Sequence, residues 1–164
     1  MKPLSFSLIF IAALGAQAST RDCASASSPT ESALSELLRS NYRAATTIEE
    51  IPQPIRTALF SLIKYDARLA NPTERFNPTD YVDSRFPRRR FIAAGGTASS
   101  WFVYYEHGGR AYTRRVVVFT VKAGAAECRC AGRVDTDARG FSDLQDELRR
   151  GLVTCNPCDP SGHF

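Results

Sequence analysis

The sequence predicts an α+β domain in which two N-terminal helices and one short C-terminal helix pack on a four-stranded antiparallel meander sheet. Apolar residues recur at helical spacing before residue 70, the period changes to two from Arg88 onward, and short glycine-containing turns separate the alternating segments. Short turns make consecutive strands antiparallel neighbours. A helical half followed by a sheet half therefore favours helices packed on one face of that sheet.

The first 18 residues have the three parts of a secretory signal peptide. Lys2 is a short basic region, Leu4–Leu14 is an apolar stretch of 11 residues, and residues 16–18 (Ala-Gln-Ala) form a small-x-small cleavage site. Such a stretch is too short to span a bilayer core of about 30 Å. We therefore expect cleavage before Ser19, no membrane span, and a periplasmic or secreted protein.

The remaining chain has the size and charge of one small domain. Removing 18 of the 164 residues leaves 146. Without Lys2, 20 basic residues face 17 acidic ones, which is a mild excess. The arginines at 85–90 have no accompanying aromatic ladder, so we expect no nucleic-acid partner. Residues 19–28 are small and polar and are expected to form a flexible lead, followed by a single domain over 29–164.

Two amphipathic helices are predicted in the N-terminal half. The first covers residues 29–45 and starts with a capping box at 28–31. The second covers about residues 54–70 and ends before an Asn-Pro pair. Residues 71–82 then contain two copies of a six-residue pattern that begins Asn-Pro-Thr, and we interpret them as a turn-rich loop.

Four strands and a last helix are predicted in the C-terminal half. Apolar and polar residues alternate between glycine-containing turns, and a capping box that starts at Ser142 precedes a short helical stripe. The second strand carries aromatic residues on both faces, which indicates either a central strand or a partly exposed aromatic face. The predicted strands cover residues 89–94, 99–106, 112–121 and 126–134, and the helix covers residues 143–150.

Five cysteines in an exported chain favour disulfide bonds. Cys128 and Cys130 are expected to share the apolar face of the fourth strand, where their spacing makes a bond between them unfavourable. We therefore predict at least one disulfide between this pair and Cys155 or Cys158. Cys23 either bonds the remaining C-terminal cysteine or keeps a free thiol.

Two other uses of the cysteines stay open. Residues 155–158 (Cys-Asn-Pro-Cys) resemble the active-site motif of thioredoxin-like proteins in the two cysteines and the proline, which implies a thiol–disulfide redox role. The same two cysteines together with Cys128 and Cys130 are also a ligand set for tetrahedral zinc. Oxidising surroundings favour disulfides over both alternatives.

The segment that begins at Asp135 resembles a calcium loop of the EF-hand type. Asp135, Asp137, Asp143 and Asp146 fall at positions one, three, nine and twelve of that loop. Arg139 stands where an oxygen ligand is usual, and a strand instead of a helix precedes the segment. We expect no bound metal and no cofactor, because acidic residues here also favour the N-terminus of the helix that follows.

Few side chains are candidates for catalysis. Glu106-His107 at a hairpin tip and Asp80 could serve acid–base chemistry. No nucleophile motif accompanies the two histidines of the chain. A small enzyme of a class that the sequence does not identify therefore stays an alternative, and no catalytic residue is assigned.

The favoured interpretation is a non-enzymatic domain that binds another protein, similar in size and compartment to periplasmic inhibitors and immunity proteins. Aromatic residues beside arginines are typical of interface hot spots, and the second and third predicted strands combine both. The alternative is that both faces of the aromatic strand are buried in the fold. The predicted partner-contacting residues are Trp101, Phe102, Tyr104, Tyr105, Arg110, Arg114 and Arg115.

Overall fold

The described part of the chain forms one antiparallel sheet of six strands and two helices. The structure, a computed structural model, covers residues 35, 38, 41–63, 67–81, 83–135 and 138–159. None of its helices combines the length and the apolar composition that a membrane crossing requires. The elements are β1 (Arg43–Ala45), α1 (Gln53–Ile63), β2 (Arg89–Gly96), β3 (Ser100–His107), β4 (Thr113–Lys122), β5 (Ala125–Val134), α2 (Phe141–Arg149) and β6 (Val153–Asn156).

The prediction of four strands and three helices is wrong, because the sheet has a further strand at each edge and the fold is mostly β. Its strands follow one another in chain order from β1 to β6, and each pairs antiparallel with the next. The four middle strands lie where the alternation of the sequence predicts a meander. Both added strands are short, so neither carries enough residues to show a period of its own.

The first edge strand, β1, replaces the predicted end of the first helix. Ser35 and Leu38 have helical backbone, and the other residues of 29–40 lie outside the described part. Residues 43–45 pair with the end of β2, where the sequence predicts a turn at Gly95. A Cβ atom on Gly95 would lie 2.9 Å from the Phe102 ring and 3.3 Å from the carbonyl oxygen of Arg43. The glycine therefore lets a ring and a third strand approach the backbone closely.

The helix α1 is shorter than the sequence predicts. It ends at Ile63, and residues 67–69 are not helical. Ala70 then forms a parallel bridge with Arg90: its NH donates to the Arg89 carbonyl (2.9 Å), and its carbonyl accepts from the Phe91 NH (2.8 Å). Pairing with β2 therefore overrides the helical spacing of these residues.

The helices cover opposite faces of the sheet. On the α1 face, Ile55 and Leu59 pack in one cluster with the odd-numbered side chains of β3. On the α2 face, Leu144 packs with the even-numbered ones, and the rings of Phe102 and Phe141 stack with centroids 4.6 Å apart. Burial of apolar area in each of these two clusters stabilises the fold by about 25 cal/mol per Å². The strand β3 therefore lies in the centre of the molecule.

The C-terminal segment differs from the predicted short helix and tail. Helix α2 begins at Phe141, and no side chain caps it, so the predicted capping box at Ser142 does not form. The carboxylate of Asp143 instead accepts from the backbone NH of Arg139 (2.8 Å). Beyond the helix, β6 pairs with β5 through residues 131–134.

A β-bulge in β5 turns Cys128 and Cys130 to opposite faces of the sheet. Cys130 lies opposite Val118 and Cys128 opposite Phe119, so Arg129 is an extra residue in the ladder. Cys128 packs with the α1-face cluster and Cys130 with the α2-face cluster. The expectation that the two cysteines share one face is therefore wrong, because the bulge reverses the alternation between them.

Two disulfides join β5 to the C-terminal segment, as the sequence predicts. Cys128 bonds Cys158, and Cys130 bonds Cys155. The bonds therefore lie one on each side of the sheet edge. Cys23, the fifth cysteine, lies outside the described residues.

Candidate functional site

The aromatic residues of β3 belong to the two cores. Trp101 (5% exposed) and Tyr105 (2%) are buried on the α1 face, and Phe102 and Tyr104 (both 0%) are buried on the α2 face. The burial follows from the two helices, which cover opposite faces of the sheet at β3. A partner cannot contact these four side chains in the folded domain. The alternative interpretation therefore applies, in which both faces of the aromatic strand are buried in the fold.

The three arginines predicted beside the aromatic strand do not form one patch. Arg110 is exposed in the β3–β4 turn. Arg114 and Arg115 are consecutive in β4 and point to opposite faces. Burial lowers the pKa of Arg115, which lies on the α1 face close to Tyr105. Only Arg110 and Arg114 lie at the end of the sheet that is described next.

The four aspartates of the calcium-like segment are engaged elsewhere or lie outside the described residues. Asp135 pairs with Arg133 (2.5 Å) and Asp146 with Arg149 (2.6 Å). Asp143 holds the backbone before α2, and Asp137 is not described. No group of three or more potential metal ligands occurs in the described part of the chain. The four cysteines of the alternative redox or zinc site are bonded in disulfides and present no thiolate.

Residues 77–81 and 83–87, here called the Asn77 loop, are held together by one buried side chain. Asn77 is 5% exposed. Its Nδ2 donates to the carbonyls of Asp83 (2.8 Å) and Phe86 (2.6 Å), and its Oδ1 accepts from the Asp83 NH (3.0 Å). The NH of Asn77 donates to the Pro87 carbonyl (2.8 Å) and closes the loop. The side chain thus uses both donors and one acceptor site within the loop.

Contacts of charged side chains stabilise the second half of the loop. The Arg85 side chain and backbone NH donate to the carboxylate of Asp83 and lower its pKa to about 2. The guanidinium groups of Arg75 and Arg85 lie 4.7 Å and 5.7 Å from the centroid of the Phe86 ring. These contacts orient the loop without covering its tip.

The tip of the loop presents an exposed aromatic ring. Residues 78–81 are exposed, and Tyr81 is 83% exposed, more than any other large hydrophobic residue in the described part. The turn-rich composition of the sequence predicts a loop here. The internal bonding of Asn77 was missed, because it depends on carbonyl groups six and nine residues away.

The β3–β4 turn packs against the same loop. The NH of Gly108 donates to the Arg88 carbonyl (2.8 Å), and the NH of Gly109 donates to the Pro78 carbonyl (3.4 Å). A Cβ atom on Gly108 would overlap the carbonyl oxygen of Asn77, so only glycine permits this approach. Tyr81 and Arg110 are therefore carried by two segments that are bonded to each other.

A polar cavity, here called the Glu106 pocket, opens at the same end of the sheet and has a volume of about 430 Å³. Its carboxylate, Glu106, is 6% exposed. Arg90 donates from Nε to one carboxylate oxygen, and the Tyr112 hydroxyl donates to the other. Burial and the hydrogen bond to Glu106 raise the pKa of Tyr112. The remaining polar walls are Arg114 and Arg139.

The acid–base pair that the sequence suggests does not assemble. Glu106 and His107 are consecutive in β3, so their side chains point to opposite faces of the sheet. Asp80 is exposed in the Asn77 loop and does not line the Glu106 pocket. The geometry therefore provides a charged cavity beside an exposed aromatic loop.

Comparisons with known proteins return no relative for this arrangement. No protein-family model matches the chain, and neither a curated protein nor a solved structure is similar enough to match it. The fold and the two features at this end of the sheet are therefore interpreted from their own contacts, burial and charges.

Proposed function

We propose that this chain is an exported, non-enzymatic domain of inhibitor or immunity type that binds another protein through the Asn77 loop. The observation that carries the proposal is the 83% exposure of Tyr81 on a loop closed by the buried Asn77 side chain. An aromatic ring in water leaves apolar area that a partner can bury. Interfaces commonly take most of their energy from a few such residues.

The bonding of the loop supports this role through entropy. Binding loses free energy when a mobile loop has to be ordered, at about 0.5–1.5 kcal/mol for each side chain that becomes fixed. Asn77 and the contacts of Gly109 hold the backbone on both sides of Tyr81 before any partner arrives. A tyrosine has only two side-chain torsions to fix, so little further entropy is lost.

The charges around the tip indicate the chemistry of the partner. Arg75, Arg85 and Arg110 are exposed at this surface, and Asp83 already engages Arg85. The best complement is a protein surface with an apolar pocket for the Tyr81 ring and carboxylates at its rim. Charge complementarity of this kind increases the association rate more than the affinity.

The compartment of the proposal rests on two features. Residues 1–18 have the pattern of a cleaved signal peptide. The two intramolecular disulfides are compatible with an oxidising compartment. We therefore place the partner in the periplasm or at the cell exterior.

Paired capture and affinity measurements test the proposal. The oxidised protein and its Tyr81→Ala variant are immobilised side by side, and proteins of the extracytoplasmic fraction that bind only the unmodified chain are identified by mass spectrometry. With the purified partner, we expect Tyr81→Ala to raise Kd by about 30-fold or more, which corresponds to about 2 kcal/mol. Tyr81→Phe keeps the ring and is expected to stay within a few-fold.

Leu152→Ala is the matched control, because Leu152 is an exposed apolar residue (44%) that lies outside the Asn77 loop, between α2 and β6. We expect its Kd to equal that of the unmodified protein. If capture enriches no protein over the Tyr81→Ala variant, or if the partner binds that variant with unchanged Kd, the Asn77 loop is not the binding surface.

A further inference from the structure

We propose that the Glu106 pocket binds a small organic carboxylate, at a site separate from the Asn77 loop. A cavity of about 430 Å³ lies within the range of ordinary small-molecule sites, about 300–1,000 Å³. The inference does not depend on the protein-binding proposal. It rests on the charge, the donor geometry and the apolar wall of this cavity.

The charge of the pocket favours an anion. Its described lining contains three arginines and one carboxylate, so its formal charge is positive by two. Glu106 is already bonded at both oxygens, by Arg90 and by Tyr112. A cation would therefore meet a carboxylate that is already hydrogen-bonded, whereas an anion is favoured by the net positive charge of the lining.

The positions of these two arginines suit a carboxylate. Arg114 is half-buried in β4, with its guanidinium 5.7 Å from the centroid of the Tyr112 ring. Arg139 lines the cavity from the segment before α2, where the Asp143 carboxylate accepts from its backbone NH. Guanidinium groups bind carboxylates through paired N–H donors. The planar carboxylate of a ligand is expected to lie between the two arginines.

The apolar part of the wall indicates that the ligand carries a hydrocarbon body. Pro72, Phe91, Ile92 and Ala138 line the cavity beside the polar groups. Convergent polar groups on an otherwise apolar wall are typical of sites for small organic molecules. Inorganic phosphate would leave this wall unfilled, and its second negative charge would lie near Glu106. We therefore expect a monocarboxylate with an aliphatic or aromatic group to bind better than phosphate or acetate.

Calorimetric titration of the full oxidised chain with named probes tests the inference. The probes are benzoate, hexanoate, acetate, inorganic phosphate and the uncharged analogue benzamide. We expect saturable one-to-one binding of benzoate or hexanoate, with weaker binding of acetate and phosphate and none of benzamide. Absence of saturable binding for all of the carboxylates, or tighter binding of phosphate or benzamide, would overturn the assignment.

Variants locate the binding site. We expect Arg114→Gln and Arg139→Gln each to weaken carboxylate binding by about tenfold or more, since each removes one positive charge from the lining of the pocket. Arg149→Gln is the matched control, because Arg149 is an exposed arginine of α2 outside the pocket and pairs with Asp146. Equal weakening by Arg149→Gln would show a general charge effect and reject the pocket. Thermal unfolding of each variant verifies that it is folded, and Arg114→Lys repeats the test with the charge kept.

Discussion

Single buried polar side chains hold the irregular segments of this domain in place. Asn77 closes its loop with three side-chain hydrogen bonds. On the α2 face, the Tyr104 hydroxyl donates to the Ala138 carbonyl (2.9 Å) and fixes the segment that leads into α2. Both residues are buried, so their partners lose contact with water and depend on these bonds. Substitution of either residue is therefore expected to disturb the irregular segment that it holds.

Replacing Asn77 is expected to destabilise the domain and to open its loop. Asn77→Ala leaves the carbonyls of Asp83 and Phe86 without their donor, which we expect to reduce the free energy of unfolding by about 2–3 kcal/mol. Urea unfolding measures the loss, and hydrogen exchange at the Asp83 amide should become faster. Asn41→Ala, at an exposed asparagine, is the control and should change stability by less than about 0.5 kcal/mol. Equal effects of both substitutions would contradict the structural role of Asn77.

Tyr104 is expected to make the domain less stable at alkaline pH. Burial raises the pKa of the Tyr104 hydroxyl, so its contribution is fully present below the ordinary tyrosine pKa of about 10 and is lost as the pH rises further. Burial also raises the pKa values of Tyr105 and Tyr112. We expect the free energy of unfolding to fall above about pH 10, with a smaller slope for Tyr104→Phe.

Chemical unfolding at a series of pH values tests this expectation. At neutral pH, Tyr104→Phe should cost about 1 kcal/mol, because the Ala138 carbonyl loses its donor. A variant with the same alkaline slope as the unmodified protein would show that Tyr104 ionises freely in the folded state. Phenolate absorbance during the titration provides an independent measurement of that ionisation.

At the scale of elements, the strands with an alternating apolar and polar sequence were predictable. The strands that form only by pairing with a neighbouring strand were not. The long alternating runs between glycine turns predicted β2 to β5. β1 and β6 have three and four residues, and each is a strand only because a partner edge is available. The bulge at Arg129 is likewise set by pairing with β4 and reverses the faces of the two neighbouring cysteines.

The candidate site was predictable only in part, for the same reason. The sequence predicted a turn-rich loop over residues 71–82 and, separately, proposed Arg110 and Arg114 as partner contacts beside the aromatic strand. It did not show that Glu106 meets Arg90 and Tyr112, since that contact requires β2, β3 and the β3–β4 turn to be in register. Burial of the aromatic strand depended on the packing of α1 and α2 on opposite faces of the sheet, and it could not be decided from alternation alone.

The two disulfides are nested, and this predicts that their contributions do not add. They join residues 30 and 25 positions apart. In the chain-entropy model, either bond alone stabilises the folded state by about 3–4 kcal/mol. When one bond is present, the other closes an effective loop of only about six residues, worth about 2 kcal/mol. We expect removal of either pair as a double alanine variant to cost about 2 kcal/mol and removal of both to cost about 6 kcal/mol.

Denaturant unfolding of the three variants tests this arithmetic, and non-reducing peptide mapping verifies which bonds are present. If one pair accounts for nearly the whole loss, native-state packing around that bond outweighs chain entropy. The Cys130–Cys155 pair provides the sharper comparison, because Cys130 is fully buried on the α2 face.

At the scale of the whole molecule, the sheet is a layer covered on both faces. Each face has its own core, one under α1 and one under α2. Most of the hydrophobic area is therefore used inside the fold. The exposed ring of Tyr81 and the charged cavity lie at one end of this layer, where β2 begins and β3 ends.

The attachment of β6 has a consequence for self-association of the chain. β6 pairs with residues 131–134 at the outer edge of β5, and two disulfides attach the C-terminal segment to that strand. Without β6, these four residues would offer unpaired NH and C=O groups to a second chain. We expect the reduced protein to associate through this edge of β5, as measured by light scattering after addition of a reductant. Reduced protein that stays monomeric would contradict this.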